Sequence, residues 1–313
     1  MTDTQQHVAS ATGHTPTEAW DYYVPPRWLV EHPELKARDI TPCTVLKPGY
    51  VYRTDRRNKG IPQYAIKMIT LPGSEEADIY DSLTRRGRIS STHTLPGIVL
   101  RTENLPPVVV LPLITDLMDM YDDPTQELPN MLRHFAQMIA GVANLHRLHI
   151  AHLDICYGNM LLAQPQDLEF HAALEFDKVY IIDFGGARQL QLGPGHQPAI
   201  DLPGSQIRKP IPSMKRFDPY AWDMYCVGMT FDMLAHYVST NRHQPTPWIL
   251  QRYITWVIGE ERGCESVCRC RPSARRALLV LTLIRGIVHV SGFFERLTKS
   301  IVGFARRSRA VSL

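Results

Sequence analysis

The feature that most constrains this chain is a change of hydrophobic period near residue 112. Before it, the runs VLKPGYVYRTD, QYAIKMITL and PPVVVLPLI are short and β-rich, and turn-forming stretches such as RRNKGIP separate them. After it, LPNMLRHFAQMIAGVANLHRL sets Met131, Leu132, Phe135, Met138, Ile139, Val142 and Leu145 at helical spacing on one face. Further helices are expected at 218–238, 246–259 and 273–290, with two short strands, NMLLA and VYIIDF, between them and the first. The front half carries one helix candidate of its own, SEEADIYDSLTRRG. There Ser74 can cap the start, acids fill the first turn and Gly87 can end it. Strands followed by helices predict an α+β chain in two lobes: a β-rich N-lobe with one main helix, and a mainly α-helical C-lobe. A length of 313 residues is ample for that core.

Composition draws the outer limits. Residues 1–37 are polar and Pro-containing, with a short helix candidate around RWLVEHPEL; they read as an N-terminal extension, partly disordered at its tip. The lobes then occupy 38–112 and 113–292, and 293–313 form a basic tail. That tail could lie as an amphipathic helix on an acidic membrane or partner, although a solvated, frayed end is the commoner structure. A net charge of +3 is too small to imply a nucleic-acid partner. The longest apolar run, ALLVLTLI, is closed by Arg285 and falls well short of the ~20 residues that span a bilayer. The opening MTDTQQHVASATGHT lacks the apolar core of a secretory signal. The expectation is an intracellular protein, in cytoplasm or nucleus, with reduced thiols. Cys264, Cys268 and Cys270 read C-x3-C-x-C; zinc would need a fourth ligand and usually C-x2-C pairs, so free thiols in a loop are expected.

Chemistry concentrates in a few segments. Residues 145–162, LHRLHIAHLDICYGNMLL, set Asn159 five positions after Asp154 and follow it with apolar residues. Residues 179–188, VYIIDFGGAR, run an apolar strand into Asp183-Phe184-Gly185, 24 positions after Asn159. FDPYAWDMYCVGMTF places Asp223 before an apolar helix, AIK ends at Lys67, EADIY contributes Glu76, and RPSARRAL begins at Arg271. Over about residues 44–290, and most strongly over 145–231, these segments resemble the eukaryotic protein kinase superfamily in a divergent form like those common in fungi. The resemblance implies ATP and Mg2+ as cofactors and a protein Ser/Thr hydroxyl as acceptor. Lys67 would hold the α/β-phosphates, with Glu76 fixing it, and Gly49 would be the last glycine of a phosphate-covering loop. Asp183 would ligate one Mg2+ and Asn159 a second, and Asp154 would accept the proton of the attacking hydroxyl. Taken singly, each has a plainer use. Lys67 could be a solvated strand residue, and Asp154 and Asp183 turn formers. Glu76 could be a first-turn helix acid, with Glu75 as the alternative partner, because only nine positions separate Glu76 from Lys67. His152 and Asp223 are expected to be structural.

Several positions depart from the kinase pattern. Aligned on Gly49, the three glycine positions of such a loop hold Thr44, Leu46 and Gly49. Leu153 stands in place of an Arg that meets activation-loop phosphate, and Cys156 in place of the Lys of Ser/Thr kinases. Losing one such preorganised donor lowers a rate by roughly 10²–10³. SQIRKPIPSM occupies the place of Ala-Pro-Glu, which leaves Arg271 without an evident carboxylate, and the connection 163–178 is long. Two expectations follow: an ATP- and Mg2+-dependent phosphotransferase, or a pseudokinase that acts as an interaction or scaffold module for a partner protein. A small-molecule kinase of related fold is disfavoured by the clear Asp-Phe-Gly.

Overall fold

The computed structural model describes residues 21–55, 60–85, 92–122, 128–243, 245–260 and 266–290. The tail 293–313, Cys264, Gly87, part of RRNKGIP and the first 20 residues lie outside them. The described chain is mixed α+β. Its front is an antiparallel sheet of β1 (Thr44–Lys47), β2 (Val51–Arg53), β3 (Tyr64–Met68), β4 (Ile98–Leu100) and β5 (Val108–Pro112), in the order β1-β2-β3-β5-β4. Side chains alternate across it as a period of two demands. Ile66, Met68, Val108 and Val110 face one side; Lys67, Val109 and Leu111 face the other.

The first face is covered by residues that the sequence assigns to a partly disordered extension. Pro33 breaks RWLVEHPEL into two single turns, α1 (Arg27–Val30) and α2 (Pro33–Lys36). Leu29 and Leu35 are fully buried from them, with Ile40, against Tyr52, Ile66, Met68, Leu100 and Val110. A boundary at 37–38 therefore runs through a packed core.

The second face is continuous with the main core. Helix α3 (Glu76–Arg85) lays Ala77, Ile79, Tyr80 and Leu83 there. Behind it, after the single turn α4 (Leu117–Tyr121), comes α5 (Leu128–Arg147), where all seven positions spaced for a helical face are buried. Helix α5 packs on α7 (Pro219–Arg242), with Phe135 and Phe231 stacked at 3.8 Å between centroids. Asp218 caps α7 by accepting from the Tyr220 and Ala221 amides, and Pro219 sits at the first helical position, where no N–H is needed. Helix α8 (Trp248–Ile258) and a last helix, α9 at 274–290, complete the back. Among the described residues no helix is long and apolar enough to cross a membrane.

Between α5 and α7 the chain forms short pairs: β6 (Ile150–Ala151) with β9 (Arg188–Gln189), β7 (Met160–Leu162) with β8 (Val179–Ile181), and β10 (Ile200–Asp201) with β11 (Arg216–Phe217). The connection from β7 to β8 holds one helical turn, α6 (Pro165–Leu168), closed by a reciprocal cap between Gln164 and Asp167. Asp154, Asn159 and Asp183 lie in the segments that flank these pairs.

Candidate active site

The β7–β8 hairpin is the device that joins two of the sequence segments. Met160 pairs with Ile181 and Leu162 with Val179, so Asn159 and Ile182 fall at the hairpin's open end. There the Ile182 amide donates to the Asn159 carbonyl at 3.1 Å. The next residue, Asp183, adopts a left-handed conformation (φ 63°), and its carboxylate accepts from the Gly185 amide at 3.4 Å. A Cβ on Gly185 would lie 3.2 Å from Asp183 Oδ1 and 3.5 Å from Lys67 Nζ, so only glycine leaves that carboxylate uncrowded.

Asp223 anchors the other segment. From the first turns of α7 its Oδ1 accepts from the Leu153 amide at 2.7 Å, and its Oδ2 from the His152 amide and His146 Nε2, each at 2.9 Å. The Trp222 indole donates to the Leu153 carbonyl at 3.0 Å. Leu153 is thereby held at φ 66°, a conformation that a Leu adopts only when its surroundings impose it. Its side chain is fully buried, which suits Leu and would leave an Arg there without water. His152 is also fully buried, approaches the Ile182 carbonyl at 3.0 Å, and has its pKa lowered by burial. Both His152 and Asp223 are structural.

Two further groups converge on Asp183 from distant elements. Lys67 Nζ, from β3, donates to Glu76 Oε1 of α3 and to Asp183 Oδ1, both at 2.6 Å. Glu76 is thus the lysine's partner, and the nine-residue spacing suffices because α3 starts close to the end of β3. Glu75 points elsewhere: its Oε2 accepts from the Gln189 amide at 2.7 Å. Burial pushes Lys67 down, but the charges of Glu76 and Asp183 outweigh it and hold the ammonium above its usual pKa. Burial raises Asp183, and the Lys67 charge and hydrogen bond more than reverse this, bringing it to about 2. Glu76 is shifted up, first by burial and also by the Asp183 charge. One ammonium between two carboxylates favours ionisation of the less buried one.

Asp154 lies on the loop after β6. Its Oδ1 accepts from Ser205 Oγ (2.8 Å) and from the Gln206 amide (2.7 Å). Its Oδ2 accepts from Gln206 Nε2 (3.1 Å) and Asn159 Nδ2 (3.3 Å). Asn159 Nδ2 also donates to the Asp154 carbonyl at 2.8 Å, which leaves its side-chain oxygen as the atom that could meet a cation. Cys156 is a buried thiol; burial, then the Asp154 charge, push its pKa up to about 11, so it carries no charge near neutrality.

The structure therefore brings Lys67, Glu76 and Asp183 together, and ties Asp154 to Asn159. Gly49 has a use in the hairpin turn itself. Its φ of +76° closes the β1–β2 turn, and its amide donates to the Tyr22 carbonyl at 3.1 Å. The Tyr22 ring lies 2.8 Å from where a Cβ would stand. Glycine is required there for the turn and for Tyr22. Two contributors escaped the sequence reading. Lys47 reaches Asp183 Oδ2 at 3.7 Å, and Ser205–Gln206 cap Asp154. Neither belongs to a motif; a basic residue in a strand next to a turn was the one available signal. Arg271 also finds neighbours that its sequence position did not suggest: its guanidinium lies over Phe217 and Tyr225 and donates to the Ile258 carbonyl at 2.6 Å. Among the described residues no group of three or more His, Cys, Asp or Glu could hold a metal ion by itself. Compared with known families and proteins, the chain matches no family model and no curated protein.

Proposed function

We propose that this chain is an ATP- and Mg2+-dependent phosphotransferase of bilobal, protein-kinase-like fold, acting on a protein hydroxyl. The carrying observation is the convergence of Lys67, Glu76 and Asp183 within 2.6 Å contacts across 116 positions of sequence. A buried ammonium fixed by one carboxylate, beside a second and more exposed carboxylate, is a device for holding polyphosphate and its counter-ion. Lys67 binds phosphate oxygens, and Glu76 keeps its Nζ in place. Asp183 and the side-chain oxygen of Asn159 would supply hard-oxygen donors to an ion arriving with its phosphates, for which one or two protein oxygens are enough. When bound, the nucleotide with Mg2+ supplies the transferable phosphoryl group and neutralises its charge. Asp154 orients the acceptor hydroxyl and takes its proton. Asn159 Nδ2 holds the Asp154 backbone in register with the β7–β8 hairpin. The test is calorimetric titration of ATP with Mg2+ into the full chain, with Asp183→Asn as control. Binding that requires Mg2+ and is lost in the control is expected; no binding at millimolar ATP refutes the assignment.

A second reading, a pseudokinase serving as an interaction or scaffold module, draws on a specific observation. Ser205, Gln206 and Asn159 occupy about all four acceptor directions of the Asp154 carboxylate, and the neighbouring Cys156 is neutral. Asp154→Asn separates the two. In the enzyme it abolishes transfer while ATP still binds; in the module it leaves function intact.

A further inference from the structure

The β1–β2 hairpin stands where a phosphate cradle would have to be, yet its tip has no backbone donor to offer. Pro48 has no N–H. The Gly49 amide is committed to the Tyr22 carbonyl at 3.1 Å, and the Tyr50 amide to the Lys47 carbonyl at 3.0 Å. What the hairpin does present is one ammonium. Lys47 lies opposite Val51, and Val51 lies opposite Lys67. Residues directly opposite across a sheet project from the same face, so Lys47 and Lys67 share a face with one strand between them.

A break in register produces this placement. Thr44 pairs with Arg53 and Val45 with Tyr52, so an unbroken ladder would set Leu46 opposite Val51. Instead the ladder shifts between Val45 and Lys47, Leu46 becomes the extra residue, and Lys47 takes its place in the row. A bulge of this kind re-aims a side chain at a local cost in pairing. Here it leaves Leu46 46% exposed and brings Lys47 Nζ to 3.7 Å from Asp183 Oδ2. Stability does not account for the arrangement. The Lys47 side chain is 59% exposed, and ion pairs at that exposure contribute little to folding. The plain alternative, a solvated lysine at a strand end, leaves the bulge and its exposed leucine without a consequence.

We propose that Lys47 is a second phosphate-binding cation of this site, acting in place of the tip amides, which are already committed, in holding the polyphosphate of a nucleoside triphosphate. The inference rests on the nucleotide reading above and sharpens it. It locates affinity for the phosphates in two side-chain charges, one buried and one exposed.

The experiment compares ATP and adenosine, each titrated calorimetrically in Mg2+ buffer into the wild-type chain, Lys47→Met and the exchange variant Leu46→Lys/Lys47→Leu. The exchange variant keeps the net charge but moves the ammonium onto the outward-turned residue. Loss of a charged phosphate contact should weaken ATP about tenfold or more in both variants. Adenosine affinity should stay unchanged, which also reports that the variants are folded. Lys47→Arg should restore most of the loss. ATP affinity unchanged in Lys47→Met, or retained in the exchange variant, overturns the role of Lys47 while leaving the nucleotide reading in place. A wild-type chain that binds neither ligand overturns both.

Discussion

Replacing Lys67 by Met tests the buried charge cluster without reference to catalysis. The side chains of Glu76, Lys67 and Asp183 are 3%, 13% and 25% exposed. Removing the ammonium leaves two carboxylates facing each other with little water, a change that costs about 3–5 kcal/mol when one partner of a buried pair is deleted. The loss is limited by protonation, since Glu76 already sits above its usual pKa and goes higher without Lys67. A carboxyl whose pKa is higher in the folded than in the unfolded state binds more protons when folded, so its penalty shrinks as pH falls. Asp183→Asn is the comparison. Asp183 titrates at about 2 against an ordinary 3.8, so its ionised form contributes about 2 kcal/mol, present above the unfolded pKa and lost as pH falls through the folded one. Its removal leaves Lys67 and Glu76 paired, so its cost should not exceed that figure. Urea denaturation followed by tryptophan fluorescence at pH 7.5 and 5.5 should show Lys67→Met as the more damaging change at the higher pH, with the gap narrowing at the lower. A penalty for Lys67→Met that is smaller than that of Asp183→Asn, or independent of pH, would refute this electrostatic account.

Three other changes probe the surroundings. Asp223→Ala deletes a fully buried carboxylate that accepts from two amides and a histidine, and should destabilise the chain by at least about 3 kcal/mol in the same denaturation assay. Leu29→Ala should cost about 2–5 kcal/mol, because Leu29 is fully buried under the sheet; a change below about 0.5 kcal/mol would return residues 27–40 to the status of an appendage. Gln206→Ala frees one acceptor direction on Asp154. Once a protein substrate is in hand, it should raise the transfer rate by about 2–10-fold with ATP affinity unchanged, and a slower rate would place Gln206 among the groups that assist transfer.

What could be read from the sequence divides along a physical line. Helices α5, α7, α8 and α9 were legible because a long amphipathic or apolar period averages over many residues. The two short apolar strands beside Asn159 and Asp183 were legible from their composition; their antiparallel pairing, which sets Asn159 beside Ile182, comes from the structure. The covering of the sheet by α1 and α2 was not. Four-residue turns have no period, and Pro33 and the charged Glu31, Glu34 and Lys36 make the segment look solvated while Leu29 and Leu35 are fully buried. The choice between Glu75 and Glu76 depended on where the first turn of α3 points, which spacing alone leaves open. Lys47 was invisible for a related reason. Its face of the sheet is set by a single-residue bulge, and a shift of one residue in a strand reverses every inward and outward assignment.

The departures from the kinase pattern differ in kind from the positions that match it, and the difference bears on function. Leu153 and Cys156 are buried apolar or neutral side chains, 0% and 2% exposed, placed where charged groups would lack water. Each is a side chain that tolerates burial. Lys67, Glu76 and Asp183 do the opposite. A buried ion cluster is seldom more stable than well-packed apolar residues of the same volume, because desolvating its members offsets their attraction. Met and Leu at these positions would continue the core that surrounds Tyr80, Phe184 and Ile79. The proposed phosphate-binding role gives the charges between β3, α3 and the turn after β8 a use beyond folding. The site combines a charge cluster that folding does not require with a loop whose departing side chains tolerate burial. That combination supports the phosphotransferase proposed above, in which Cys156 would leave transition-state contacts weakened and Asp154 would have to be uncovered to act as base.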